Sequence, residues 1–320
     1  MKLLHGWFIP TFVVLCAELA RAADPTSIAV VTPGHLYDRI AVVGASVSDG
    51  FGVFVAPAPS TAGAGAASPS SPAGVPTKVD LSDALRAAVP TSPGPIVHHY
   101  ASGFFFSNPG PVGTSEIDRA LAVKPTLVLA LDFLFWYAYG TVGADGEVMQ
   151  SQQERTTNLE VGLRQLDRVL SAGIPLIIGD IPDMSDAIGK MLSANQVPDR
   201  ATLEAVNARI TAWVASRPSV RLMQLRTLLA SLKTGGTIEV AGRVWDPAQL
   251  GSLLQRDQLH PTFPGTLILA AGLIDLARTY DTSSPPPFAF EVEPVATRAR
   301  DNKQLKSAKR PQTANAPTPR

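Results

Sequence analysis

The stretch Arg39-Ile-Ala-Val-Val-Gly-Ala-Ser46 decides the fold. A short β-branched run that ends in small residues reads as a strand buried on both faces. Four more runs follow the same pattern: Ile96 to Tyr100, Thr126 to Asp132, Pro175 to Asp180 and Val220 to Leu225. Helical patterns separate them at Leu81 to Val89, with Asp80 as its N-cap, and at Ser115 to Leu121, Gln152 to Ser171 and Ala201 to Ser216. Phe263 to Tyr280 closes the series as a last helix. Apolar strands alternating with helices predict a parallel sheet covered on both faces, a three-layer α/β/α architecture. In such a sheet, ligands sit at the carboxyl ends of the strands. Gly235 to Trp245 reads as a small hairpin outside this plan.

Outward from this body the composition changes. Hydrophobic residues make up 45% of the 320, enough for one large core, and the 27 Lys+Arg balance the 27 Asp+Glu. This balance argues against a nucleic-acid binder. Residues 1–22 read as an export signal: Lys2 precedes an apolar stretch from Trp7 to Ala20, and Ala20-Arg21-Ala22 offers a small-x-small cleavage site. The apolar run is shorter than the roughly 20 residues a membrane span needs, so the expected location is secreted or periplasmic. The single cysteine, Cys16, lies in that segment and excludes an internal disulfide framework or a thiolate metal cluster.

Residues 23–282 form the expected folded body, with a low-complexity insertion at 56–77 built only from Ala, Pro, Ser, Thr, Gly and Val. From Ser283 to Arg320 the chain is Pro-rich and basic without hydrophobic periodicity, and is expected to be a disordered tail. Seven Lys and Arg against Asp301 give residues 297–320 a charge of +6, while 18 Lys and Arg against 25 Asp and Glu leave residues 23–296 at −7. Such a tail either touches an anionic cell surface or stays solvated. The body is expected to be a monomer.

The strand ends carry the chemistry. The first strand stops at Gly44-Ala45-Ser46-Val47-Ser48-Asp49-Gly50, which places Ser46 in a glycine-flanked turn that exposes a hydroxyl and aims backbone N–H groups at the same space. Near the other end stands Asp257-Gln258-Leu259-His260-Pro261-Thr262. A carboxylate three residues before a histidine can fold back to hold the imidazole and leave its second nitrogen for a nucleophile. The four other histidines lack such a neighbour in sequence. Each motif alone also fits an ordinary turn or helix start.

Together these motifs resemble the SGNH, or GDSL-type, hydrolase family, over roughly Arg39 to Tyr280. In that family a Gly-Asp-Ser-x-Ser block ends the first strand, a glycine follows the second, Gly-x-Asn-Asp follows the third, and Asp-x-x-His-Pro precedes the last helix. Ile178-Gly179-Asp180-Ile181-Pro182 also matches a segment common in members. The resemblance implies a flavodoxin-like five-stranded sheet, Ser46 as nucleophile, His260 as base, Asp257 as its partner, and the N–H groups of Ser46 and Gly103 as an oxyanion hole. It implies no metal and no cofactor. Two positions depart from the pattern: Ala45 replaces the first-block Asp, and Leu131-Asp132-Phe133-Leu134 lacks the third-block glycine and asparagine. Asn108 is the candidate replacement donor, and Asp132 a candidate substrate contact or helix cap. Nine of the 21 aromatic residues fall in Tyr100 to Phe106 and Phe133 to Tyr139, so Phe133 and Trp136 are candidate substrate contacts, with core packing as the alternative. The activity implied is hydrolysis of a carboxylic ester, O-acetyl or short-chain, on a small molecule or glycan. The competing class is a glycan-binding protein that keeps the fold without useful catalysis.

Overall fold

A computed structural model describes residues 36–57, 75–90, 94–280 and 286–308. The expected export signal, most of the insertion and the last twelve residues lie outside these.

Strand β1 (Arg39–Val42) leads through the short β2 (Phe54–Val55) and β3 (Thr77–Lys78), which pair antiparallel, to α1 (Leu81–Ala88) and β4 (Ile96–His99). The chain continues through α2 (Pro109–Ala122), β5 (Leu127–Ala130), the short α3 (Phe135–Ala138), α4 (Gln152–Ser171) and β6 (Leu176–Gly179). Then come α5 (Arg200–Ala215), β7 (Val220–Met223), α6 (Leu225–Lys233) and the hairpin β8 (Ile238–Val240) and β9 (Arg243–Trp245). A short α7 (Pro247–Leu250), α8 (Phe263–Arg278) and α9 (Val292–Ala308) complete it.

The five long strands form one parallel sheet in the order β4-β1-β5-β6-β7, as the alternation of strands and helices requires. Residue alternation divides the sheet between two cores. Ile40, Val42, Leu127 and Leu129 face α1 and α8, while Ala41, Val43, Val128 and Ala130 face α2, α4 and α5. Chain direction across the sheet reverses beside β1: its two neighbours are β4 and β5. Ser46 after β1 and Asp132 after β5 therefore meet at the switch point, where such sheets open a crevice. The expected Asp80 cap is present as a full capping box with Asp83.

The C-terminal expectation needs correction. Residues 286–308 are not a disordered tail: Phe288 and Phe290 stack in parallel, and α9 packs on α1 with Val295, Ala296 and Ala299 buried. The buried Arg300 donates to Ala56 O at 2.5 Å, Arg298 to Ala87 O at 2.5 Å, and Lys303 pairs with Asp83 at 2.5 Å. Three of the seven basic residues that made this segment look solvated are thus anchored to α1 and the base of the insertion.

A buried Ser-His-Asp site

The turn that carries Ser46 is set by one glycine and two buried acids. Gly44 has φ +144°, and a Cβ there would sit 2.3 Å from Asp132 Oδ1, so no side chain fits. Asp132 Oδ1 accepts from Ala45 N–H (3.0 Å) and Ser48 Oγ–H (2.6 Å), and Oδ2 from Val47 N–H (2.8 Å) and Ser48 N–H (3.3 Å). Burial pushes the Asp132 carboxyl up, against hydrogen bonds that favour its anion. On the opposite face of the turn, Glu116 Oε2 accepts from Gly44 N–H at 2.7 Å. Burial, with the Asp132 charge adding to it, raises Glu116 to about 9 despite that bond, so it is a neutral acid at pH 7. Asp49 N–H and Phe51 N–H bond back to Ala45 O and Ser46 O, which closes the turn.

The histidine arrives from a loop with its own constraint. Gln258 adopts φ +59°, a left-handed conformation that bends the chain back on itself. Asp257 Oδ1 then accepts from Leu259 N–H (2.9 Å) and His260 N–H (3.0 Å), while Oδ2 lies 2.7 Å from His260 Nδ1. A carboxylate only accepts, so Nδ1 carries the hydrogen, and Nε2 is left to face Ser46 Oγ at 2.9 Å. His260 is 3% exposed and Ser46 8%, so the pair is shielded from bulk water while Ser46 still opens to a cavity. Burial would raise Asp257, but bonds from the His260 ring and from two backbone N–H groups outweigh it and hold the carboxyl below its ordinary value.

Sequence reasoning missed a clamp between the two loops. Gln255 Nε2 donates to Phe51 O (2.7 Å) and Pro261 O (2.8 Å), and Gln255 N–H to His260 O (2.8 Å). Phe51 in turn lays its ring 4.6 Å from the His260 ring. Beyond Ser46, Ser102 N–H bonds to Gly44 O at 2.9 Å and thereby holds the Gly103 loop along the turn. Neither Ser46 N–H nor Gly103 N–H has a hydrogen-bond acceptor among the described residues.

The chain matches no known protein-family model and no curated protein sequence. Among solved structures it is similar to an acetylxylan esterase from Geobacillus stearothermophilus at 15% identity, covering 80% of this chain and 100% of that one, TM-score 0.45. A GDSL-like lipase from Bacteroides thetaiotaomicron is similar at 11% identity, with 76% and 89% covered and TM-score 0.43. A gut microbial diltiazem-metabolizing enzyme is similar at 11% identity and TM-score 0.46; 78% of this chain is covered, but it spans only 48% of that enzyme's length.

The remaining candidates divide. Asp132 binds the Ser46 turn rather than capping α3, and its oxygens are already occupied. Phe133 is fully buried, edge-on to Phe105 at 5.3 Å, so it is core. Trp136 packs between Phe106 and Phe135 and does not line the cavity beside Ser46; Phe135 does. Asn108 ends at the start of α2, its Oδ1 buried without a hydrogen-bond partner among the described residues, and it too is absent from the cavity wall. His99, isolated in sequence, finds Asp49 (3.2 Å) and Ser82 (3.2 Å) in space. Ser82 is wholly buried, so that trio ties α1 to β4. No group of three or more His, Cys, Asp or Glu among the described residues is placed to hold a metal ion.

Proposed function

We propose that the protein is a serine esterase of the SGNH type that hydrolyses a carboxylic ester through Ser46, His260 and Asp257. The observation that carries this reading is the continuous buried relay, Asp257 Oδ2 to His260 Nδ1 at 2.7 Å and His260 Nε2 to Ser46 Oγ at 2.9 Å. His260 takes the Ser46 proton as Oγ attacks the ester carbonyl carbon, and Asp257 stabilises the imidazolium that forms. The carbonyl oxygen, now an anion, is received by the N–H groups of Ser46 and Gly103. His260 then gives its proton to the leaving alkoxide. Water, deprotonated by His260, attacks the acyl-enzyme, and Ser46 recovers its hydrogen as the acid departs.

The missing third-block asparagine removes one oxyanion donor, which is worth about 3 to 4 kcal/mol in enzymes where it has been deleted. Total accelerations of about 10⁶-fold or more leave room for that loss, so two backbone donors can sustain turnover. Residues 1–22 support export, so the ester is one met outside the cytoplasm. A fluorophosphonate probe tests the nucleophile. Wild type is expected to label and Ser46→Ala not to; folded wild type that stays unlabelled refutes the esterase reading.

A further inference from the structure

Resting on that esterase reading, we infer that the enzyme selects its substrates by the acyl group, preferring an alkyl or aryl chain of several carbons to acetyl. Ser46 opens into a cavity of about 110 Å³ that runs under the ends of β5, β6 and β7. Its far wall is Leu225, Leu228 and Leu232 of α6, Ile238 of β8, and Ile268 and Leu269 of α8. Apart from Ser46, the polar side chains on the wall are Asp132 and Asp180, and both are engaged. Asp132 holds the Ser46 turn, and Asp180 Oδ1 accepts Arg226 N–H at 2.9 Å, which caps the start of α6. A sugar placed here would leave most of its hydroxyls without side-chain partners, at about 1 to 3 kcal/mol each. An acetyl group would leave most of the space empty. A wall that is leucine, isoleucine and other apolar side chains over most of its extent suits an alkyl or aryl chain.

Geometry also assigns the cavity to the acyl side of the ester. The leaving oxygen must reach His260 Nε2 to receive its proton, yet His260 itself does not line the cavity. The oxyanion donor Gly103 follows β4, on the far side of β1 from β5, β6 and β7. With the carbonyl oxygen turned toward β4 and the leaving oxygen at His260, the acyl carbon chain points toward α6. The alcohol then departs past the exposed Phe51 ring, away from this cavity.

The test is a p-nitrophenyl ester series on the full chain, from acetate through butyrate and hexanoate to octanoate, beside acetate esters of alcohols of increasing length. Each methylene buried in the cavity is expected to raise kcat/KM roughly fourfold until the space is filled, while the alcohol series stays flat. Acetate as the best acyl group, or length dependence in the alcohol series instead, overturns the inference. Leu228→Trp, which fills the cavity from its partly buried wall, is expected to lower the octanoate-to-acetate ratio at least tenfold. Should that variant not fold, Leu228→Ala is expected to move the optimum to a longer chain; an unchanged profile in a folded variant counts against the inference. Fluorophosphonate labelling separates the two levels. No labelling of wild type defeats the esterase reading, whereas labelling with an acetate optimum defeats only the acyl-chain inference.

Discussion

Two sets of carboxyl groups surround Ser46, and they are built for opposite tasks. Asp257 stands at the rim, partly exposed, below its ordinary pKa, and touches the His260 ring. Asp132 and Glu116 are buried against the Ser46 turn, raised in pKa, and hydrogen-bond to it. On the proposed mechanism the first keeps its charge where the imidazolium forms; the second set trades solvation for hydrogen bonds that fix where Ser46 points. Ala45 stands where an aspartate is usual in the resembling family, and Asp132, from the neighbouring strand, places a carboxylate against the same turn.

If that division holds, Asp257→Asn strikes chemistry and leaves the fold alone. The amide would place the wrong hydrogen-bonding partner at His260 Nδ1, and kcat on an activated ester is expected to fall about 10⁴-fold. The thermal midpoint should move by less than a few degrees, because Asp257 is partly exposed and its loop retains the Gln255 clamp. A comparable loss of stability would show that the rim acid also holds the fold.

Asp132→Ala should reverse the pattern. It removes the acceptor for three N–H groups and one hydroxyl in a buried turn, and unsatisfied buried donors cost about 1 to 3 kcal/mol apiece. Some would find water, so a net loss of about 3 kcal/mol in urea unfolding is expected, with the m-value unchanged. Activity should fall as well, through displacement of Ser46; a stable variant with full activity would refute the supporting role.

What could be read in the sequence follows from how local the signal is. Five apolar strands, the Asp80 cap, the extent of α4 and the Asp257–His260 spacing are local, and the structure has all of them. The two longest overlooked helices carry one signature: Leu225, Leu228, Leu229 and Leu232 in α6, and Val292, Val295, Ala296 and Ala299 in α9, both spaced i, i+3, i+4, i+7. In α6 the period starts directly after a strand whose apolar run masks it. In α9 it is diluted by Arg and Lys, whose basic heads suggested solvent although Arg298 and Arg300 reach the backbone carbonyls of Ala87 and Ala56. Glu116 and the Gln255 clamp gave no signal, since each acts on residues 72 and 204 positions away. An aromatic window cannot tell which faces turn inward: Phe133 and Trp136 take the core-packing alternative, and Phe135, between them, is the one that reaches the cavity.

Glu116→Gln tests the neutral half of the buried set. Its folded value of about 9 lies above the ordinary 4.5, so between those pH values the folded chain holds a proton that the unfolded chain has released. Raising the pH through that window therefore withdraws stability. Glutamine keeps an acceptor for Gly44 N–H and has no proton to lose. At pH 5 the variant should lie within about 1 kcal/mol of wild type, and it should gain on wild type steadily toward pH 9. Unfolding curves at pH 5, 7 and 9 decide this; parallel pH dependence in the two proteins would mean that Glu116 is ionised in the fold.

The smallest effect belongs to the rim, where backbone conformation rather than charge positions the acid. Gln258 occupies φ +59° between Asp257 and His260, a conformation that glycine adopts freely and glutamine does not. Gln258→Gly relieves that strain but adds freedom to the unfolded chain, and the two terms are each about 1 kcal/mol and opposed. Stability should change by less than about 1 kcal/mol, and kcat by no more than about twofold, because the Asp257 bonds to Leu259 N–H and His260 N–H are backbone-directed and survive. Gln258→Val, whose β-branched side chain resists the left-handed region, should lose more than the glycine variant in both measures. If valine and glycine behave alike, the loop is held by Gln255 alone and the left-handed residue contributes nothing to the placement of Asp257.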